Sequence, residues 1–526
     1  MRDPLALITL VFVSACLVVD PAPAQEPRLG TIEFPNSGSP DAQEPFLRGL
    51  ALLHSFEYPA AREAFRAAQA VDPDFALAYW GEAMAFNYPL WYQQFRDEAL
   101  EGLARFAASP EERLSKVPTE RERQWLAAVE VLYGEGDKQE RDDRYERVMA
   151  DLHRAHPDDA EVAAFHALAI LGTAHEGREH RTYMRAGAIA SRLLGDYPDH
   201  PGAAHYTIHS FDDPEHASLG LDAALAYSRI APDAAHAQHM TSHIFLALGM
   251  WDDVVRANER ADAVSDRDAL EADREPRSCG HYNEWLEYGY LMQSRNAEAL
   301  DLLNACGAQV VAGTGGSLTS FADMRSRYVL DSGEWGGESM SVEIDFSESA
   351  GAALTDAFLR GYVAARLGDV EGTREALEQL RVLRPEVETG MAERGLTEEM
   401  YVQRPAILEL QLEGLLDWVQ ENYVDAIATF GEAALIEGAL PHAFGPPVIE
   451  KPSHELLGEA LLERNSDTTA ATAFAESVAR APGRLPGLRG LREAASAAGD
   501  ADMAAWAEAE LRARQYSGGS EDSPDR

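Results

Sequence analysis

The sequence predicts an all-α solenoid of stacked helix-turn-helix repeats. Three observations carry that prediction. Apolar residues recur with helical periodicity along most of the chain, and alternating strand-like runs are scarce. A pattern of small and large residues also recurs: Gly49, Ala61, Phe65, Ala68 and Pro73 near the start have the same spacing as Gly458, Ala470, Phe474, Ser477 and Pro482 near the end. Finally, Pro198 and Pro232 stand 34 residues apart, each after one helical pattern and before another. The physical logic is common to all three. Small residues let the two helices of a hairpin approach, the aromatic residue fills the gap between them, and proline ends the second helix because it has no N–H for the ladder. One such hairpin cannot bury its apolar face, so neighbours must stack.

Taken in order, the chain begins with Arg2, an apolar run from Leu5 to Val19 and Ala22-Pro23-Ala24, which has the layout of an export signal over residues 1–24. Val13-Ser14-Ala15-Cys16 resembles a bacterial lipobox, so two outcomes stay open: cleavage after Ala24, giving a periplasmic or secreted protein, or a lipid anchor on Cys16. Residues 25–41 read as a linker. Repeats follow over 42–312, with an insertion at 92–140 and partial matches at Pro157. A second insertion at 313–355 is marked as loop by Gly313-Thr314-Gly315-Gly316 and Gly333-Glu334-Trp335-Gly336-Gly337. Repeats resume over 356–515, where Ala426, Phe430 and Ala433 fit the template, and residues 516–526 read as a disordered tail. Cys279 and Cys306 fall at the two ends of one predicted hairpin, and in an oxidising compartment they are expected to form a disulfide.

The repeat spacing resembles the tetratricopeptide repeat (TPR). That resemblance implies a right-handed superhelix whose first helices line a concave groove with the side chains at repeat positions 2, 5, 9, 12 and 13. His54-Ser-Phe-Glu-Tyr, Ala78-Tyr-Trp-Gly-Glu-Ala and Gly172-Thr-Ala-His-Glu-Gly also look like an exported bacterial TPR family of uncharacterised function, which implies a fold and no activity. Counting from Pro198 places His205 and His209 in the groove, with Asp212 and Asp213 after them. Counting from Pro232 places His236, His239 and His243 there, and the hairpin that turns at Ser294–Ala299 places His281, Glu284 and Tyr288. Six imidazoles and a carboxylate from three consecutive repeats are thus aimed at one wall.

Neutral imidazoles with carboxylates beside them are the donor set of a borderline transition metal such as Zn, Cu or Fe. The expected ligands are His205, His209, His236, His239, His243, His281 and Glu284, with Asp212 and Asp213 fixing imidazole tautomers. Two other readings of the cluster stand beside this one: a metal-free pocket for an organic ligand, and a structural network. Trp80, Met84, Tyr288 and Arg327 are further groove candidates, Arg327 as a partner for a substrate carboxylate. The Gly172–Arg181 turn, which holds His175, Glu176 and His180, reads as an exposed hydrogen-bonded loop or as a turn that folds over the cluster.

Composition narrows the function classes. Asp and Glu number 89 against 45 Lys and Arg, a formal charge of −44, which disfavours nucleic acid and anionic lipid surfaces. Contact with a membrane is expected only through the lipid anchor. Lysines occur only at 116, 138 and 451, so the Lys-based carboxylate clamp common in TPR grooves is missing. Nucleotide-binding, zincin and serine-hydrolase motifs are absent. The sequence therefore points to a binding protein that takes a protein, peptide or small molecule in a His-rich, metal-binding groove. The alternatives are a metal-dependent hydrolase or oxidoreductase, and a metal-free interaction scaffold.

Overall fold

A computed structural model describes residues 27–514, so the expected export signal over 1–24, Cys16 and the expected tail over 516–526 lie outside the described residues. Among the described residues there are 25 α-helices and a single two-stranded ribbon, Asn87–Tyr88 against Gln93–Gln94. Successive helices pack as antiparallel hairpins, Pro40–His54 with Tyr58–Val71 at one end and Ser453–Glu463 with Asp467–Arg480 near the other. The chain is an all-α solenoid of TPR-like repeats. No helix among the described residues is long and apolar enough to cross a membrane.

The small-and-large pattern has a direct structural meaning. A Cβ on Gly49 would stand 3.0 Å from the Phe65 ring, and one on Gly81, in the next repeat, would run into the same ring. Phe65 is therefore wedged between its own hairpin and the following one. Phe474 repeats this between Gly458 and Gly490, and Phe430 packs on Gly414. Proline marks the joints as expected: Pro73, Pro198, Pro232 and Pro482 each follow the end of a second helix.

Three features depart from the sequence reading. Residues 27–39 are not a free linker. Phe34 is buried against Phe46, Trp80 and Trp125, and the Ser37 N–H donates to Glu122 at 2.7 Å. The 92–140 insertion is mostly helix, at Arg96–Phe106, Pro110–Lys116 and Glu120–Leu132, and the last of these packs on Ala76–Met84. The 313–355 insertion contributes a further repeat helix, Leu318–Ser332, before the loop begins.

The solenoid also closes on itself. Trp251 Nε1 donates to the Gly483 carbonyl at 2.9 Å, across 232 residues. Arg484 is buried between Glu455 at 2.7 Å and Asp331, so the last TPR-like joint is tied to the middle of the chain. On another side, the Glu399 N–H donates to the Glu176 carbonyl at 3.2 Å. The segment between Ala439 and Ser453 crosses the hollow, and a Cβ on Gly445 would meet the Trp285 ring. The concave wall is thereby roofed. Cys279 and Cys306 form a disulfide, with Cα atoms 4.5 Å apart, that joins the start of helix His281–Met292 to its partner helix Asn296–Ala312.

The wedge geometry makes a stability prediction. Phe474→Ala removes a fully enclosed aromatic and is expected to cost about 3–5 kcal/mol in chemical denaturation. Gly490→Val should also destabilise, because its side chain would have to displace that ring.

Candidate metal centre

Three helices build the site: Pro201–Phe211, Ala235–Ala247 and His281–Met292. Their starts are fixed locally. The His200 ring accepts the Ala203 N–H at 3.1 Å as an N-cap, and Pro201 occupies the first turn, where a missing N–H costs nothing. Gly249, at φ 67°, ends the second helix in the left-handed region. The first two helices are buried on nearly every side, because the closed solenoid puts protein on both of their faces.

The imidazole donor atoms fall into two sets of three. His205, His209 and His236 form one set, and His239, His243 and His281 form the other; within each, one ring nitrogen per residue lies within 4.8 Å of the other two. The first five are buried, and His281 is exposed. The sets adjoin: ring centroids are 5.4 Å apart for His209 and His243, and 5.8 Å for His236 and His239.

Four of the rings are oriented by acceptors at Nδ1. His205 donates to the His54 carbonyl at 2.6 Å and His239 to Asn258 Oδ1 at 2.7 Å, the amide being fixed by its own Nδ2 donation to the Val254 carbonyl. His209 and His243 share Asp212 Oδ2, at 3.3 and 2.9 Å. A proton on Nδ1 leaves Nε2 with its lone pair, directed inward. Nε2 of His205, His209 and His236 is buried with no partner among the described residues, and Nε2 of His239 and His243 face each other at 3.2 Å. Two lone pairs at that separation repel unless a cation lies between or beside them. This is how protein metal ligands are arranged, with the distal nitrogen anchored and the proximal one free.

Electrostatics favours the neutral rings. Burial pushes His205, His236 and His239 well below the ordinary imidazole value, and it holds His243 at about 4 despite Asp212. Burial alone would raise the Asp212 carboxyl, but Arg178 and the two imidazole N–H groups outweigh it and hold it well below the usual carboxylate range. Arg178 is itself buried, pairs with Asp212 and with Asp213 at 3.1 Å, and lies over the Tyr183 ring.

An aromatic wall closes the cluster. Phe56 lies 4.3 Å from His205, Trp285 stacks on His243 at 4.4 Å, and Phe444, from the crossing segment, stacks on His243 at 5.2 Å. Beside His281 and Trp285 opens a cavity of about 920 Å³, to which Arg327, Arg404, Tyr401, Asp323 and Glu284 also contribute.

The structure thus gathers all six predicted histidines in the two sets and places the other candidates differently. Glu284 is in neither set; it lines the large cavity one turn beyond His281. Asp213 pairs with His216 at 2.9 Å, outside the cluster, so only Asp212 orients the predicted ligands. Trp80 is core, packed on Trp125 and Phe165, because residues 27–39 and helix Glu120–Leu132 cover that face. Met84 lies behind Phe56 beside Tyr145. Tyr288 packs on Trp251, lining a separate cavity of about 70 Å³. Arg327 does reach the large cavity; its Nη2 donates to the Pro447 carbonyl at 3.5 Å, while its Nε and Nη1 are buried with no partner among the described residues.

The sequence reading missed Asn258, Arg178, Phe56, Phe444 and the group His54, Glu161 and His200. That group is a closed network. Glu161 accepts from His54 Nε2 at 2.7 Å and from His200 Nε2 at 3.0 Å, while the other ring nitrogens meet the Tyr206 hydroxyl and the Ala203 N–H. Gly202 makes room for the His54 ring, which a Cβ there would strike. His54 is the last residue of its helix, and Gly202 next to Pro201 is the sequence feature that permits the close approach.

Comparison with known proteins yields remote structural likenesses. No family model matches the chain, and no curated protein does. Among solved structures it is similar to yeast Tom70, at 11% identity over 88% of this chain and 96% of that one with a TM-score of 0.34. A human IFIT1 dimer with m7Gppp-AAAA matches at 14% identity over 92% and 91% with a TM-score of 0.36. The P58(IPK) TPR domain matches at 13% identity over 88% and 99%, with a TM-score of 0.23. Nothing about activity or partners follows from these.

The buried ion pair makes two predictions. Arg178→Met leaves Asp212 buried without its counter-charge and is expected to cost about 3–5 kcal/mol in urea denaturation at pH 7, with the Arg178→Met/Asp212→Asn double variant losing less. Because Asp212 titrates below its unfolded value, its contribution is present above about pH 4 and lost on acidification, so Asp212→Asn should flatten the acid side of the stability profile.

Proposed function

We propose that this is an exported TPR-like protein whose buried histidine cluster binds a transition metal of the Zn, Cu or Fe type. The observation that carries the proposal is the facing pair His239 and His243. Both Nδ1 atoms are engaged by acceptors, and both Nε2 atoms meet at 3.2 Å in a buried site. A metal-free network would be expected to place a donor opposite each lone pair, as Glu161 and its partners do with theirs. The support for export is the charged start, apolar run and small-residue site at the N-terminus, together with a disulfide, which belongs to an oxidising compartment. The roof over the groove favours a compact ligand over a long peptide.

The test is elemental analysis of protein isolated from its native envelope fraction, alongside His239→Ala and His243→Ala. The expected result is bound metal in the parent protein and its loss in both variants; unchanged metal content in both would reject the proposal. Asn258→Ala, which removes only the anchor of His239, is expected to weaken metal affinity about 10–100-fold, read by competition with a chelator.

A second reading, a metal-dependent enzyme, is favoured by the cavity of about 920 Å³ that shares His281 and Trp285 with the cluster. It holds a buried arginine, Arg327, whose Nε and Nη1 have no partner among the described residues and suit a substrate carboxylate. Metal-loaded protein assayed with carboxylate-bearing esters and amides should then turn over, with KM raised at least tenfold in Arg327→Gln and metal content unchanged.

A further inference from the structure

The proposed metal site contains six imidazoles, more than one tetrahedral ion uses. We infer that the cluster is a two-ion centre, one ion held by His205, His209 and His236 and the other by His239, His243 and His281. This rests on the metal-binding reading above and goes beyond it in number and arrangement.

The donor geometry supports two ions over one. Metal–imidazole bonds of about 2.0–2.1 Å keep the ligands of one ion within roughly 4 Å of each other. Among the described residues the six donors do not gather into one group; they give two threes, each within 4.8 Å, and His209 and His243 also come within that distance of each other and of Asp212. The sets use different parts of the chain. The first pairs i and i+4 of helix Pro201–Phe211 with the first turn of helix Ala235–Ala247, and the second pairs i and i+4 of that second helix with the first turn of helix His281–Met292. Each joint between consecutive repeats therefore builds one three-histidine site by the same construction.

Asp212 links the two. Its Oδ2 accepts from His209 of one set and His243 of the other, while its second oxygen is taken by Arg178. With its oxygens so engaged, Asp212 serves as a shared anchor rather than a ligand, and each ion keeps a coordination position open for water or a ligand atom. The second site includes His281, the exposed member that borders the large cavity, so the pair has one enclosed ion and one ion on the ligand side.

The experiment counts ions. Full-length mature protein is stripped with a chelator, dialysed against Zn²⁺ with excess Mg²⁺ to occupy surface carboxylates, and analysed for zinc per chain. Two per chain is expected, falling to one in His205→Gln/His236→Gln and to one in His239→Gln/His281→Gln, with folding checked by circular dichroism. One zinc per chain in the parent protein would overturn the two-ion centre while leaving metal binding intact; none would overturn both. Should the variants fail to fold, Co²⁺ loading of the parent protein decides the matter. Two equivalents with a spin-coupled signal support the pair, and saturation at one equivalent with an isolated high-spin signal rejects it.

Discussion

The candidate centre depends on one buried carboxylate. Asp212 follows the end of helix Pro201–Phe211 and orients an imidazole from its own helix and one from the next, while Arg178 cancels its charge. A charge taken out of water is costly unless paired and fully hydrogen-bonded, and this one is satisfied on each side. The same contacts set the tautomers of His209 and His243, and so decide that their basic nitrogens turn inward. Arg178 comes from the turn after Leu171, the segment that the C-terminal part of the chain grips at Glu176. The anchor of the centre is thus coupled to the closure of the solenoid.

Closure changes what a repeat protein of this kind can do. An open superhelix offers a long groove to an extended partner. Here Trp251 on Gly483, Arg484 on Asp331 and the crossing segment with Phe444 turn the groove into an enclosed space. Enclosure lowers the local dielectric and excludes bulk water, conditions under which a cluster of neutral imidazoles stays neutral and a cation bound among them meets little competition. The strongly acidic exterior has a related consequence, since a net charge of −44 raises the local concentration of cations around the molecule.

Much of this was legible in the sequence, for a specific reason. Gly49, Phe65, Gly458 and Phe474 encode contacts within and between adjacent repeats, and such contacts have a fixed sequence separation. The prolines fixed the phase of each helix, so the histidines could be assigned to a common wall by counting. Residues whose role depends on distant parts of the chain were not legible. Phe444 reaches His243 across about 200 residues, and Trp80 lost its place in the groove to Phe34 and Trp125, which no repeat rule locates. Asn258 sits on the second helix of its hairpin, facing back to His239, where the groove rule does not look.

The repeat architecture also explains how a two-part site would arise without special design. In a solenoid each first helix has two neighbours, and here the residue in the first turn of the middle helix meets the previous repeat while the residue one turn later meets the next. The middle helix, Ala235–Ala247, does both: His236 meets His205, and His239 meets His281. A histidine pattern carried over three repeats therefore yields two equivalent junctions, and a fourth repeat with the pattern would add a third. The pattern stops at Glu284 and Tyr288, where the donors give way to a cavity wall and a packed aromatic core. The last junction is left with one exposed imidazole and open space in front of it, and that is where a ligand has room to approach.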